Sequence, residues 1–437
     1  MAYRMLGPLL LFSASVLAQD GTSVSDSRTS ETGSATTTEG TPTGTYLTYT
    51  SQESNLGTLS DDTSTSMSGN FSQSTVSTTD SRTFLTGSAA STSGNFSTTT
   101  TTEATPTVTN TRPCNNYAEF CSRQYGNITE VACHNSPFIT KNNLAANQQY
   151  DVTYQLNDGV RFLQAQIQWP TNGTEPHFCH TSCDILDAGP ITEWLTTVKD
   201  WVASHPYDVV TILLGNGNYS VPSLYYPYIE STGILDYVYT PPLVPMTLND
   251  WPTLSDMILS GKRVVMFLDY MANQTEYPWL LDEFSQMSET PFDPTDSSFP
   301  CTVERPPDLA DADAENRLFM INHNLNLELS ILGTSMLVPA RADLNVTNAS
   351  NGTGSLGLSG QNCVAQWNRP PQFLNVDYYN YGNYPGSVFE VAANLNNVTY
   401  SRSCCGTTSA GSKLGLDKLS YPVVVLMAAI SAAFLSM

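Results

Sequence analysis

The chain has 437 residues, 40 of them acidic and 17 basic, for a formal charge of −23. A protein this acidic has no surplus of Lys and Arg with which to neutralise phosphates, which argues against nucleic acid and against a polybasic hold on anionic lipid. The charge says nothing about the fold.

Residues 1–18 carry one basic residue, Arg4, and then the apolar run LLLFSASVLA with small residues before Gln19. This is the pattern of a secretory signal peptide cut after Ala18, and it is too short for a membrane span. From Gln19 to about Thr111 the composition is Ser, Thr, Gly and acidic residues. Such a segment cannot bury enough apolar surface to offset the entropy of ordering, so a disordered, O-glycosylated stalk is expected over residues 19–112. SGNFS occurs at Ser68 and again at Ser93, a short self-similarity rather than a folded array.

The nine cysteines all lie between stalk and tail. In an oxidising compartment most should pair, with Cys114–Cys121 and Cys179–Cys183 as local bridges. The odd number leaves one over, and Cys133, inside an apolar strand, is the expected free thiol. A zinc site in CHTSC is the competing reading for Cys179 and Cys183. Glycosylation sequons at Asn70, Asn95, Asn127, Asn172, Asn218, Asn273, Asn345, Asn348, Asn351 and Asn397 agree with the secretory route, and the run of three from Asn345 reads as an exposed loop.

Residues 113–405 alternate short apolar strands with helical stretches, which predicts one α/β domain. Val131–Cys133 is the first strand. It ends at His134-Asn135-Ser136-Pro137, because proline imposes an extended conformation on Ser136 and blocks further pairing. A helix is expected over Asp151–Asp158, stopped by Gly159. In the strand Val160–Gln168, Leu163, Ala165 and Ile167 share one face, with Phe162, Gln164, Gln166 and Gln168 on the other. A short strand follows at His177–His180. Gly189-Pro190 opens a helix striped by Trp194, Leu195, Val198, Trp201 and Val202. Further strands are read at Asp208–Leu214, Arg263–Asp269, within Phe284–Phe292, at Leu318–Asn322 and at Gln372–Tyr378, with a helical stretch Leu254–Leu259 ending at Gly261. Eight parallel strands predict a TIM-type (β/α)8 barrel. An open doubly wound sheet is the alternative, but no Gly-rich phosphate loop follows the first strand.

Polar residues cluster at the strand ends: His134 with Asn135, Gln164 with Gln166, His180, Asn216, Asp269, Asn322 and Asp377. In a barrel these ends meet at one rim. The remaining histidines read as structural: His205 as a cation at a helix C-terminus, His177 as a surface residue, and His323 as a strand-end residue that could also line the pocket.

Pro422–Met437 is apolar and carries no basic stop. It follows the small residues Ser409–Ser412 and a polar spacer over Lys413–Ser420. That arrangement predicts a GPI-attachment signal over 406–437, with a single C-terminal span as the competing reading.

The turn HNSPF, the strand GVRFL, the segment FCHTSC and the late strand FLNVDYY together resemble the X-domain of phosphatidylinositol-specific phospholipases C, and most closely the secreted fungal PLC-like phosphodiesterases. The resemblance covers most of residues 113–405. It implies a TIM-type barrel and cleavage of a lipid head-group phosphodiester, with His134 as general base, His180 as general acid and Asp377 orienting His134. Asn135, Gln164, Gln166 and Asp269 would then contact substrate. Calcium-dependent members place carboxylates where this chain has Gln164, Gln166 and Gly215, and metal-independent bacterial members place an arginine at Gln166. This chain has neither, so no metal or other cofactor is expected, calcium being the possibility whose usual carboxylates are missing. Arg161 is placed near the strand start, away from the pocket. The expected partners are a phosphoinositide-type lipid and, through the GPI anchor, the membrane. A catalytically silent barrel binding glycans or lipid head groups at the cell wall is the second reading. A sphingomyelinase-D-like phosphodiesterase is the third, disfavoured by the missing acidic magnesium ligands.

Overall fold

The computed structural model describes residues 112–331 and 334–405, together with 30, 31, 46, 47, 49 and 51–55. The expected signal peptide, the GPI-attachment signal and most of the stalk lie outside the described residues. Among the described residues no helix is long and apolar enough to cross a membrane.

Eight short parallel strands form the barrel: β1 Glu130–Cys133, β2 Phe162–Gln168, β3 Val210–Asn216, β4 Val264–Leu268, β5 Leu280–Asp282, β6 Met287–Glu289, β7 Leu318–Asn322 and β8 Phe373–Val376. Their order is β5-β4-β3-β2-β1-β8-β7-β6. First and last strands are neighbours, with Val376 opposite Cys133, which rules out the open-sheet alternative. Among the described residues no ladder joins β5 to β6. They are connected by a helical turn, Glu283–Gln286, that starts where the Asp282 carboxylate accepts from Ser285 N–H at 2.8 Å.

Two expectations need correction. His177–His180 is not a barrel strand: it runs antiparallel to β2, Ile167 opposite Phe178, and pairs on its other side with Leu186–Pro190. Residues 169–176 are too few for the crossover that a parallel neighbour requires. The vacant place in the barrel is filled by β5, a strand too short to show a period, and the strand expected within Phe284–Phe292 shrinks to β6.

The alternation in β2 sorts its faces as expected. Leu163, Ala165 and Ile167 pack outward with Leu156 of α1 (Val152–Asp158) and with Leu195 and Val198 of α2 (Ile191–Ser204). Phe162 joins a second cluster with Leu213, Phe267, Met320 and Phe373, which fills the lower barrel. Both helix boundaries follow local chemistry. Asp151 caps α1, accepting from the Thr153 and Tyr154 N–H groups, and Gly159 ends it at φ 115°, a left-handed conformation that favours glycine.

Cys114–Cys121 and Cys179–Cys183 are bonded, as is Cys301–Cys363, while the sulfurs of adjacent Cys404 and Cys405 are in contact. Cys133 is free and buried. The bond between Cys179 and Cys183 removes the zinc reading of CHTSC. The loop of three sequons also needs correction. Asn345 and Asn351 are exposed, but Asn348 is 1% exposed and donates both amide hydrogens, to Asp377 O at 2.8 Å and Tyr378 O at 3.0 Å.

Candidate active site

His134 stands one residue beyond β1, in a turn tied down from three sides. Its N–H bonds Val376 O on β8 at 3.0 Å, and Ser136 N–H bonds Gln164 O on β2 at 2.8 Å. Gln155 of α1 clips the turn reciprocally, accepting from Ser136 Oγ at 2.6 Å and donating to Ser136 O at 2.9 Å. Gln148 Nε2 donates to both His134 O and Val376 O. The ring therefore has a fixed origin and direction.

Asp377, just beyond β8, lies behind the ring: its Oδ1 is 2.8 Å from His134 Nδ1 and also accepts from Asn147 Nδ2 at 2.9 Å. A carboxylate at Nδ1 requires the hydrogen there, which leaves the Nε2 lone pair facing the cavity. Burial pushes the His134 pKa down, but the charge and hydrogen bond of Asp377, with Asp293 and Glu289 beyond it, outweigh that and raise it. Asn135 Nδ2 is 3.1 Å from Nε2. Its amide can donate to the neutral ring or, turned over, accept from the charged one.

His180 reaches the same cavity from the antiparallel strand on β2. Its ring is half-buried, meets Phe138 edge-on at 5.3 Å, and has Thr181 Oγ1 at 3.1 Å from Nδ1. Burial, then the charge of His134, lower its pKa to about 4. The two imidazoles therefore sit in opposite environments, one backed by a carboxylate and one not.

The cavity holds about 540 Å³, and His134, Asn135, Gln164, Gln166, His180 and Asp269 all line it. Six of the seven expected site residues thus share one space, with Asp377 behind the first histidine. Asp269 stands one residue beyond β4, accepts from the Asn216 and Tyr270 N–H groups at 2.7 Å each, and is pushed by burial up to about 6. The other histidines lie elsewhere. His205 stacks on Trp201, His177 pairs with Asp187 at 2.9 Å, and His323 is buried against Phe299 with Nε2 3.0 Å from Thr347 O. Arg161 is bound to Asp208 at 2.6 Å, away from the cavity as expected.

The far wall carries a cation. Arg305 is 3% exposed and lines the cavity. Its Nη1 bonds Glu289 at 3.2 Å, its Nη2 bonds Tyr270 Oη at 3.0 Å, and its guanidinium lies over the rings of Phe284 and Phe292 at 4.6 and 4.5 Å, while Nε has no partner. Glu289 also receives Asn322 Nδ2 at 3.2 Å, Asn322 Oδ1 receives Asn375 Nδ2 at 3.0 Å, and that amide also reaches Gln164 Oε1 at 3.2 Å. A polar chain thus crosses the barrel from the second strand to Arg305. Beside it, burial and then the charge of Glu289 raise Glu283 well above the usual carboxyl range.

Calcium does not fit at the position where the family's carboxylates would hold it. Asn135 is turned to His134, the Gln164 oxygen is taken by Asn375, and every donor there is neutral, whereas calcium takes six to eight oxygens with carboxylates among them. The cavity's carboxylates lie on the other side, around Arg305.

The sequence model of the PI-PLC X family matches residues 120–396. The chain belongs to that family. It is 56% identical over 320 residues to an "Uncharacterized secreted protein" of Arthroderma benhamiae, covering 73% of this chain and 72% of the relative. It is 38% identical over 271 residues to a "PI-PLC X domain-containing protein 1" of the same fungus, covering 62% and 86%. Among solved structures, phosphatidylinositol-specific phospholipase C from Listeria monocytogenes aligns over 64% of this chain and 96% of its own, with 11% identity and a TM-score of 0.43. Membership in the PI-PLC X family supports phosphodiesterase-type chemistry, and the secreted relative and the disulfides support an extracellular protein.

For a PI-PLC X barrel, the residues missed in the sequence are those that act on the site from loops: Asn147 and Gln148 behind His134, and Asp293, Arg305 and Glu283 on the far wall. Glu-Arg-Pro at 304–306 reads as surface charge. Its only local signal is the cysteine at 301, which anchors this loop to Cys363.

Proposed function

We propose that this protein is an extracellular, GPI-anchored phosphodiesterase that cleaves the head-group phosphodiester of a phosphoinositide-type lipid through His134 and His180. The observation that carries the reading is the pair of imidazoles opening on one cavity with opposite electrostatic settings. His134, its Nδ1 hydrogen held by Asp377, takes the proton of the attacking hydroxyl at Nε2, and Asp377 stabilises the imidazolium that forms. That hydroxyl belongs to the head group itself, so the new P–O bond closes a cyclic phosphodiester while the bond to the lipid oxygen breaks. His180 gives its proton to that leaving oxygen. It has no carboxylate partner, so the phosphodiester anion is what charges it.

The phosphoryl group is placed among His134, His180, Asn135, Gln164 and Gln166, whose carboxamides supply hydrogen bonds. The hydroxyl-bearing head group extends toward Asp269 and Asp293, two acceptors suited to ring hydroxyls, with the charge of Arg305 beside them. No metal-bound step enters. Purified protein mixed with phosphatidylinositol vesicles should release a cyclic phosphate visible by phosphorus NMR, and His134→Ala and His180→Ala should each abolish it. Inositol or glycan binding without turnover in the wild type would leave the silent-barrel reading in its place.

A further inference from the structure

The Ser/Thr-rich segment ahead of the barrel touches the fold where it is described. Glu53–Ser54 pairs antiparallel with Leu243–Val244. Asn55 is buried and donates its amide to Pro241 O and Pro278 O, each at 2.8 Å. Gln52 reaches Asp250 at 2.6 Å and Pro245 O at 3.0 Å. Upstream of this tether, the Tyr46 ring lies edge-on to Phe284 at 4.9 Å and to Tyr270 at 5.9 Å, with the two tyrosine hydroxyls 3.5 Å apart.

Tyr270 lines the cavity, and Phe284 stands directly behind its wall, against Arg305. Phe284 sits in the helical turn that stands where a β5–β6 ladder would be, next to Glu283, and packs under the Arg305 guanidinium. The Tyr270 hydroxyl accepts from Arg305, and its backbone N–H holds Asp269. Among the described residues no backbone ladder spans that joint, so beyond the capped turn Glu283–Gln286 it is side-chain packing that sets how β5 and β6 sit against each other. A ring removed there leaves its neighbours without partner atoms on one side.

We propose that Tyr46 is a positioning residue of the cavity: supplied from the segment preceding the barrel, it wedges the unpaired joint and fixes Phe284 and Tyr270, and through them Arg305. The effect on turnover rests on the function proposed above; the effect on the wall does not.

The test uses the full chain with Tyr46→Ala and Tyr46→Phe. Hydrogen exchange without ligand should quicken over residues 283–289 and at Arg305 in Tyr46→Ala, stay as in the wild type in Tyr46→Phe, and leave Tm and the β1–β3 amides unchanged in both. Turnover of phosphatidylinositol in phosphatidylcholine vesicles should fall about threefold to tenfold in Tyr46→Ala, the scale of a lost aromatic pair, and be retained in Tyr46→Phe. Unchanged exchange in Tyr46→Ala, or equal loosening in both variants, overturns the proposal. A wild type with no turnover defeats the functional reading, and the exchange result still decides the role of Tyr46.

Discussion

His180→Gln probes the division of labour between the imidazoles, because the amide occupies much of the ring's space but carries no transferable proton. In the ligand-free cavity His180 is held at about 4 and is neutral at pH 7. A phosphodiester anion about 4 Å from an imidazolium, at an effective dielectric constant of about 20, attracts it by about 4 kcal/mol. That equals about three decades of proton affinity and returns the ring to about 7. In the proposed mechanism, substrate thus charges its own acid. A general acid contributes about 10²- to 10⁴-fold in rate, and the variant should lose that much on a lipid whose leaving group is an alkoxide. With 4-nitrophenol as leaving group on the same head-group phosphate, departure needs no proton, and the loss should shrink below about tenfold. Phosphorus NMR follows the first reaction and nitrophenolate absorbance the second. His134→Gln should lose equally on both. Equal losses in His180→Gln, or rescue appearing in the His134 variant instead, would refute the assignment.

Stability should rise on mild acidification. Burial pushes Glu130 and Asp282 up to about 7 and Asp269 and Asp293 up to about 6, against about 4 in the unfolded chain. Such carboxyls keep their protons in the folded state, so they lose stability as pH rises from about 4 to about 7. His134, also raised, adds in the same direction, its contribution lost as pH rises through its folded value. His180 and His323, held at about 4 and about 3, oppose it as pH falls below about 6.5. The carboxyls outnumber them, so Tm by calorimetry should be higher at pH 5 than at pH 7.5; a lower value at pH 5 contradicts the burial of these acids. Asn348 should remain unmodified despite its sequon, since both amide hydrogens are spent inside the fold. Mass spectrometry after enzymatic deglycosylation in heavy-oxygen water reads this directly, and a labelled aspartate at position 348 would contradict that packing.

What could be read in advance followed from local chemistry. The proline after His134 marks the end of β1 and the alternation in β2 sorts core from cavity, whereas Asp377 as the partner of His134 is what the family resemblance implies. The failures were tertiary. His177–His180 has a strand's composition, but only the short connection after Gln168 makes it antiparallel. β5 spans Leu280–Asp282, too short for any period to register. Arg305 is a buried cation only because Glu289, Tyr270 and two phenylalanines, distant in the chain, converge on it. Tyr46 stands in a sequence whose composition signals no packing at all.

The Cys179–Cys183 bond closes a small loop around His180 and Thr181, whereas His134 is held entirely by hydrogen bonds from strands and helix. Only one of the two rings therefore has a covalent staple beside it. The staple bears on the Thr181 turn rather than on the backbone under the ring, since His180 ends a strand laddered to Leu186. Opening it should loosen that turn and leave both imidazoles on their own backbone ladders.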